Sequence, residues 1–156
     1  MPTVTVTRTI AARPEEIWSS WADFGAVDRF HPGIAASRLL PGSAPGGVGA
    51  SRQCDLKPGG EAYVHERVVE SRENERMVVD IYDGTVPLKR ARATLDLDAV
   101  GPKRTHVAMT MEFAPGMGPL GWLMAPMMKR QFRSMLDRVL EGNDAYVTRG
   151  VAVVRG

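Results

Sequence analysis

The hydrophobic period of this chain changes for the last time near Pro115 and Gly116, from two to about 3.6. From residue 34 to that point, alternating segments follow one another with only short turns between them. Such turns leave no room for crossover helices, so the strands must form an antiparallel meander. After it, Leu120, Met124, Met127, Gln131, Met135, Val139 and Tyr146 trace one helical stripe, widened by Leu123, Met128, Phe132, Leu136 and Leu140. A single sheet with one apolar face needs a cover, and this C-terminal stripe is the only element long enough to supply it.

The alternation predicts strands over residues 3–10, 34–40, 49–57, 61–71, 77–82, 88–100 and 104–113. Between the first two, Pro14 suits a first helical position and Glu15 and Glu16 suit a first turn. Ile17, Trp18 and Trp21 give that short helix an apolar face, and a second short helix follows through Val27 to Phe30. The terminal helix is expected over 119–148, about 45 Å long, with Pro126 kinking it or splitting off its first turns. The fold class is therefore α+β: a curved antiparallel sheet of about seven strands around a long C-terminal helix, with two short helices after the first strand. One domain over residues 1–150 and a tail over 151–156 are expected from the length of 156 residues.

Composition removes several function classes. Twenty basic residues stand against 18 acidic ones and are dispersed, and aromatics are 6% of the chain. Neither the basic stripe nor the stacking platforms of a nucleic-acid binder are present. No run approaches the apolar length of a membrane span, so stable membrane insertion is not expected, and the N-terminus lacks the pattern of a signal peptide. With Cys54 as the only cysteine, no intrachain disulfide can form, and a cytoplasmic setting follows. Cys54 reads as an inert core thiol. His31, His65 and His106 are not spaced as metal ligands, and no cofactor is expected. Gly116, Gly118 and Gly121 match the G-x-G-x-x-G pattern, but no strand follows the helix, so the βαβ unit that gives those glycines a dinucleotide role is never completed.

The stretch Ile10-Ala11-Ala12-Arg13-Pro14-Glu15-Glu16-Ile17-Trp18 resembles the opening of the START-like superfamily, also called SRPBCC. So does the stretch from Trp21 through Phe24, Gly25 and Phe30 to His31-Pro32-Gly33, although many bacterial members carry tryptophan where Phe30 stands. His65-Glu66-Arg67-Val68-Val69-Glu70 resembles the family's central strand. The similarity is greatest to bacterial polyketide cyclase/dehydrase-type proteins and to the abscisic-acid-receptor-like branch. It implies a helix-grip fold with a cavity between sheet and helix that takes lipids, sterols, polyketides or hormones. It also implies an acidic pocket residue at Glu66, and gating loops at residues 42–49 and 83–87.

By alternation, Val64, Glu66, Val68, Val79, Ile81, Ala91, Ala93, Met109, Met111 and Phe113 face inward. Phe24, Phe30, Met124, Met128 and Phe132 complete the wall, and Arg52 is placed to pair with Glu66 across the cavity. Small alanines opposite large, adaptable methionines predict open apolar space. Within it Glu66 holds a polar group of the ligand or, in an enzyme, serves as acid/base with Arg52 or Tyr82 in support. On this reading Glu66→Gln changes ligand affinity and leaves stability nearly unchanged. Three functions are open: a carrier or sensor of a small hydrophobic molecule, a cyclase/dehydratase of poly-β-keto chains, and a protein-interaction module without a ligand. Either a monomer or a homodimer suits all three.

Overall fold

The computed structural model describes residues 1–153. Its strands are β1 (Thr3–Ile10), β2 (Ala36–Leu39), β3 (Ser51–Asp55), β4 (Tyr63–Arg72), β5 (Arg76–Gly84), β6 (Leu88–Gly101) and β7 (Arg104–Pro115). All neighbouring pairs are antiparallel, in the order β1-β7-β6-β5-β4-β3-β2. Helix α1 (Pro14–Ala22) and a 3-10 turn over Phe24–Arg29 follow β1. Helices α2 (Gly118–Leu123) and α3 (Ala125–Arg149) close the chain. The seven-stranded α+β fold expected from the hydrophobic period, and the helix-grip arrangement implied by the resemblance, are the ones observed. The strands of residues 34–40 and 49–57 are shorter than expected, covering Ala36–Leu39 and Ser51–Asp55.

The helix of residues 119–148 is broken in two at Met124. Pro126 has no N–H to give the Trp122 carbonyl, so α2 ends there and Pro126 takes a first-turn position in α3. The C-terminal part of α3 is fixed from several sides. Leu136, Val139 and Leu140 are buried. Asn143, fully buried, accepts from Trp21 Nε1 at 3.2 Å and donates to the Ser20 hydroxyl at 2.9 Å. Arg8 on β1 meets Asp144 at 2.7 Å. The N-terminal part is held more loosely: Ala125 is buried and Phe132 packs on Phe113, but Met124 and Met127 are exposed. This asymmetry holds one end of α3 on β1 and α1 and lets the other stand off the sheet.

Gly142 sets how closely α3 approaches the turn after α1. A Cβ there would collide with the Phe30 carbonyl oxygen, a backbone atom that cannot rotate away. Gly142→Ala is expected to destabilise the fold by about 1–3 kcal/mol through overpacking, read as a lower urea midpoint at unchanged slope.

The tail of residues 151–156 is described only to Val153; residues 154–156 lie outside the described residues. Its first part is tethered, with Val151 N–H donating to Ala145 O and Val153 N–H donating to Arg29 O at 2.8 Å.

Candidate functional site

The gap under the free end of α3 is a cavity of about 540 Å³. The β4, β5, β6 and β7 strands contribute Val64, Glu66, Val79, Ile81, Ala93, Met109 and Met111 to its floor, all on one face by alternation. Helix α3 contributes Met128 and Phe132 to its roof, and Met124 lies at the helix break. Space remains because Ala93, flanked on its neighbours by Val79 and Met111, ends at its methyl group. Of the wall residues expected from alternation, eleven including Arg52 line the cavity.

The other five do not. Phe24 lies beneath Arg52, with the guanidinium carbon 3.9 Å from its ring centre. Phe30 packs edge-on to Trp21 at 4.8 Å and against Tyr146 at 5.8 Å, in the core behind the cavity. Val68, Ala91 and Phe113 are on the inward face but already covered. Phe113, for example, packs on Phe132 at 4.8 Å. Alternation identifies the face a residue points to; it does not say whether another side chain has reached that place first.

Several lining residues lie outside the expected set. Met77 and Leu95 continue the inward rows of β5 and β6 and were readable from the same alternation. Trp21, His31, Ile34 and Leu56 come from loops and α1, where no period marks a face. The loop before β6 reaches the cavity through Val86 and Pro87, whereas no residue of 42–49 lines it. Gly121 lines it too. A Cβ there would strike the Gly116 carbonyl oxygen, so the glycine pattern of residues 116–121 serves the close folding of α2 onto the end of β7.

The polar chemistry is concentrated in Arg52 and Glu66. These residues are cross-strand partners on β3 and β4, not facing residues across the cavity as expected. Arg52 Nε donates to Glu66 Oε1 at 2.7 Å and Nη1 donates to the Phe24 carbonyl at 3.0 Å, with side-chain exposures of 7% and 11% for the arginine and the glutamate. Cys54 Sγ donates to the same Oε1 at 3.4 Å. Both protein hydrogen bonds to Glu66 thus fall on Oε1, and no buried side-chain polar atom among the described residues lacks a partner. Oε2 accepts no hydrogen bond from the described residues of the protein.

Burial, and then the Glu66 carboxylate, push the Cys54 thiol well above its ordinary value. The fold favours the neutral thiol. That stabilisation is complete below the unfolded value of about 8.5 and is lost as pH rises above it. Between about pH 8.5 and 10, stability is expected to fall by up to roughly 1.4 kcal/mol per pH unit, a slope that Cys54→Ala removes. A thiol reagent should react with Cys54 only after unfolding.

The remaining candidates lie elsewhere. Tyr82 is exposed on the outer face, with the Arg67 guanidinium carbon 4.4 Å from its ring centre. His65 is on that face as well, 3.0 Å from Gln53 Oε1. His31 lines the cavity and its Nδ1 accepts from the Gly33 N–H at 3.1 Å. Among the described residues no cluster of three metal-ligating side chains occurs, and no helix is long and apolar enough to cross a membrane.

The curved seven-stranded sheet, the long helix packed against it and the apolar cavity between them make up a helix-grip domain. Residues 1–148 match the family described as polyketide cyclase / dehydrase and lipid transport, and the chain belongs to that family. No curated protein matches the sequence. Among solved structures, the chain is similar to a START superfamily protein from Mycobacterium smegmatis, with a TM-score of 0.79, 18% identity, and 96% of this chain and 99% of that chain covered. It is similar to a protein from Thermus thermophilus, at a TM-score of 0.79, 16% identity, and 96% and 99% coverage. It is also similar to a protein from Thermobifida fusca, at a TM-score of 0.73, 27% identity, and 96% and 95% coverage.

Proposed function

We propose that the protein carries or senses an apolar molecule with a hydroxyl-type polar end, seated in the cavity with that end on Glu66 Oε2. The observation that carries this reading is a cavity of about 540 Å³ whose buried charges are a single, one-sidedly satisfied ion pair. That volume lies within the roughly 300–1,000 Å³ of small-molecule sites. A hydroxyl, phenol or enol donates to the free oxygen. A carboxylate of equal length puts a second negative charge there, and such pairs are unfavourable in a site of low dielectric. The acid/base alternative at Glu66 has less support, because Oε1 is engaged by Arg52 and Cys54 and Tyr82 is on the opposite face of the sheet.

Two chemically matched series test this reading: long-chain or aromatic alcohols, and carboxylic acids of the same skeleton. At a hundredfold excess over Kd, a bound alcohol is expected to stabilise the fold by about 2.7 kcal/mol, which is a rise in Tm of roughly 5–10 °C for a chain of this size. The acids should do much less. Equal stabilisation by both series would remove the role of Oε2, and no stabilisation by any member would remove the carrier reading.

A further inference from the structure

We infer that α2 and the first turn of α3 form a docking surface for an anionic lipid bilayer. Six of the thirteen exposed large hydrophobic side chains among the described residues fall between positions 117 and 127: Met117, Leu120, Trp122, Leu123, Met124 and Met127. Leu123 is 78% exposed, Met117 64% and Trp122 51%. Single exposed apolar residues are ordinary on a protein surface, but a contiguous group of this size marks an interaction site.

The charges around the patch identify its occupant. Lys129, Arg130 and Arg133 follow it on α3, and Lys89 and Arg90 stand beside it on β6, where Leu88 pairs with Pro115 and Arg90 with Ala114. Among the described residues, none of these five cations is in an ion pair. No aspartate or glutamate occurs between Glu112 and Asp137, or between Asp83 and Asp96. A short apolar element with exposed Trp, Leu and Met side chains, bordered by unpaired cations, is complementary to the acyl boundary and anionic headgroups of a bilayer. Its position fits the same partner. Met117, Met124 and Met127 also line the cavity, so the patch borders it, and docking there sets lipid against that side of the cavity. The docking stands whether or not the cavity is filled.

The test is co-sedimentation of the purified protein with phosphatidylcholine vesicles and with vesicles that also contain phosphatidylglycerol. Trp122 emission is followed in parallel; because Trp18 and Trp21 are buried, a blue shift reports Trp122. The protein is expected to bind the anionic vesicles with a blue shift and to bind the neutral ones weakly. Replacing Lys129, Arg130 and Arg133 together by glutamine should weaken the binding on the order of a hundredfold, at about tenfold or less per cation. Leu123→Glu should abolish the shift. Both variants alter surface positions, and their circular dichroism should match that of the parent. Ala93→Phe, which fills the cavity, should leave vesicle binding unchanged and so separates docking from ligand binding. Equal binding to both vesicle types, or no binding, overturns the proposal. So does a dimer in sedimentation velocity that Leu123→Glu dissociates while vesicles remain unbound, since the patch then belongs to a second copy of the chain.

Discussion

Glu66→Leu is expected to lower the free energy of unfolding by roughly 3–5 kcal/mol, because it leaves the Arg52 guanidinium charged and buried without its counter-ion. The pair sits under the cavity with both side chains nearly covered, and Arg52 is held in place by the Phe24 carbonyl and ring. It cannot swing out to water without abandoning those contacts. The double variant Arg52→Met, Glu66→Leu should recover most of the loss, because replacing a buried ion pair by packed apolar side chains is often neutral or stabilising. Recovery should stop short of complete, since the Phe24 carbonyl loses its donor. Urea unfolding of the two single variants and the double variant gives the coupling energy directly. Single variants as stable as the parent would show that the pair is not buried in solution. Because Glu66 is paired with Arg52, Glu66→Gln is expected to lower stability as well as to change affinity for the proposed ligand.

Ala93→Phe is expected to have the opposite signature, intact folding and lost binding. Ala93 ends at a methyl group in the middle of the cavity floor, between Val79 and Met111. A benzyl group there occupies space that an apolar ligand would otherwise fill. Excluding about four ligand carbons at about 0.8 kcal/mol each removes roughly 3 kcal/mol of binding, or about a hundredfold in Kd. Because the ring enters a void and not packed core, the urea midpoint should hold or rise. Binding that persists at full strength would place the ligand elsewhere on the protein.

The two variants show how far a linear reading of residues reaches. Alternation in β4 to β7 identified Val64, Glu66, Val79, Ile81, Ala93, Met109 and Met111 as inward-facing, because side chains on a pleated strand have no third direction to take. It treated Ala91 and Ala93 alike. The structure separates them: both face inward, but only Ala93 meets open space. It likewise offered Arg52 as a partner for Glu66 without showing that they are neighbours in the β3–β4 ladder, since that depends on the register across an irregular turn. Phe24 and Phe30 belong to segments without a period, and their place in the core depends on how the 3-10 turn packs under β3 and α3.

What the chain determined by itself is therefore the set of elements and their faces. The period of two demanded strands, the period of 3.6 after Gly116 demanded a helix, and Pro126 demanded a break near the start of that helix. These are local consequences of backbone geometry and need no knowledge of distant residues. Only the tertiary structure decided where the sheet and α3 touch and where they part. That depends on anchors far apart in sequence, such as Trp21 with Asn143 and Arg8 with Asp144, which hold the far end of α3 down. The cavity at its near end is the volume those contacts leave, and no local pattern encodes a volume.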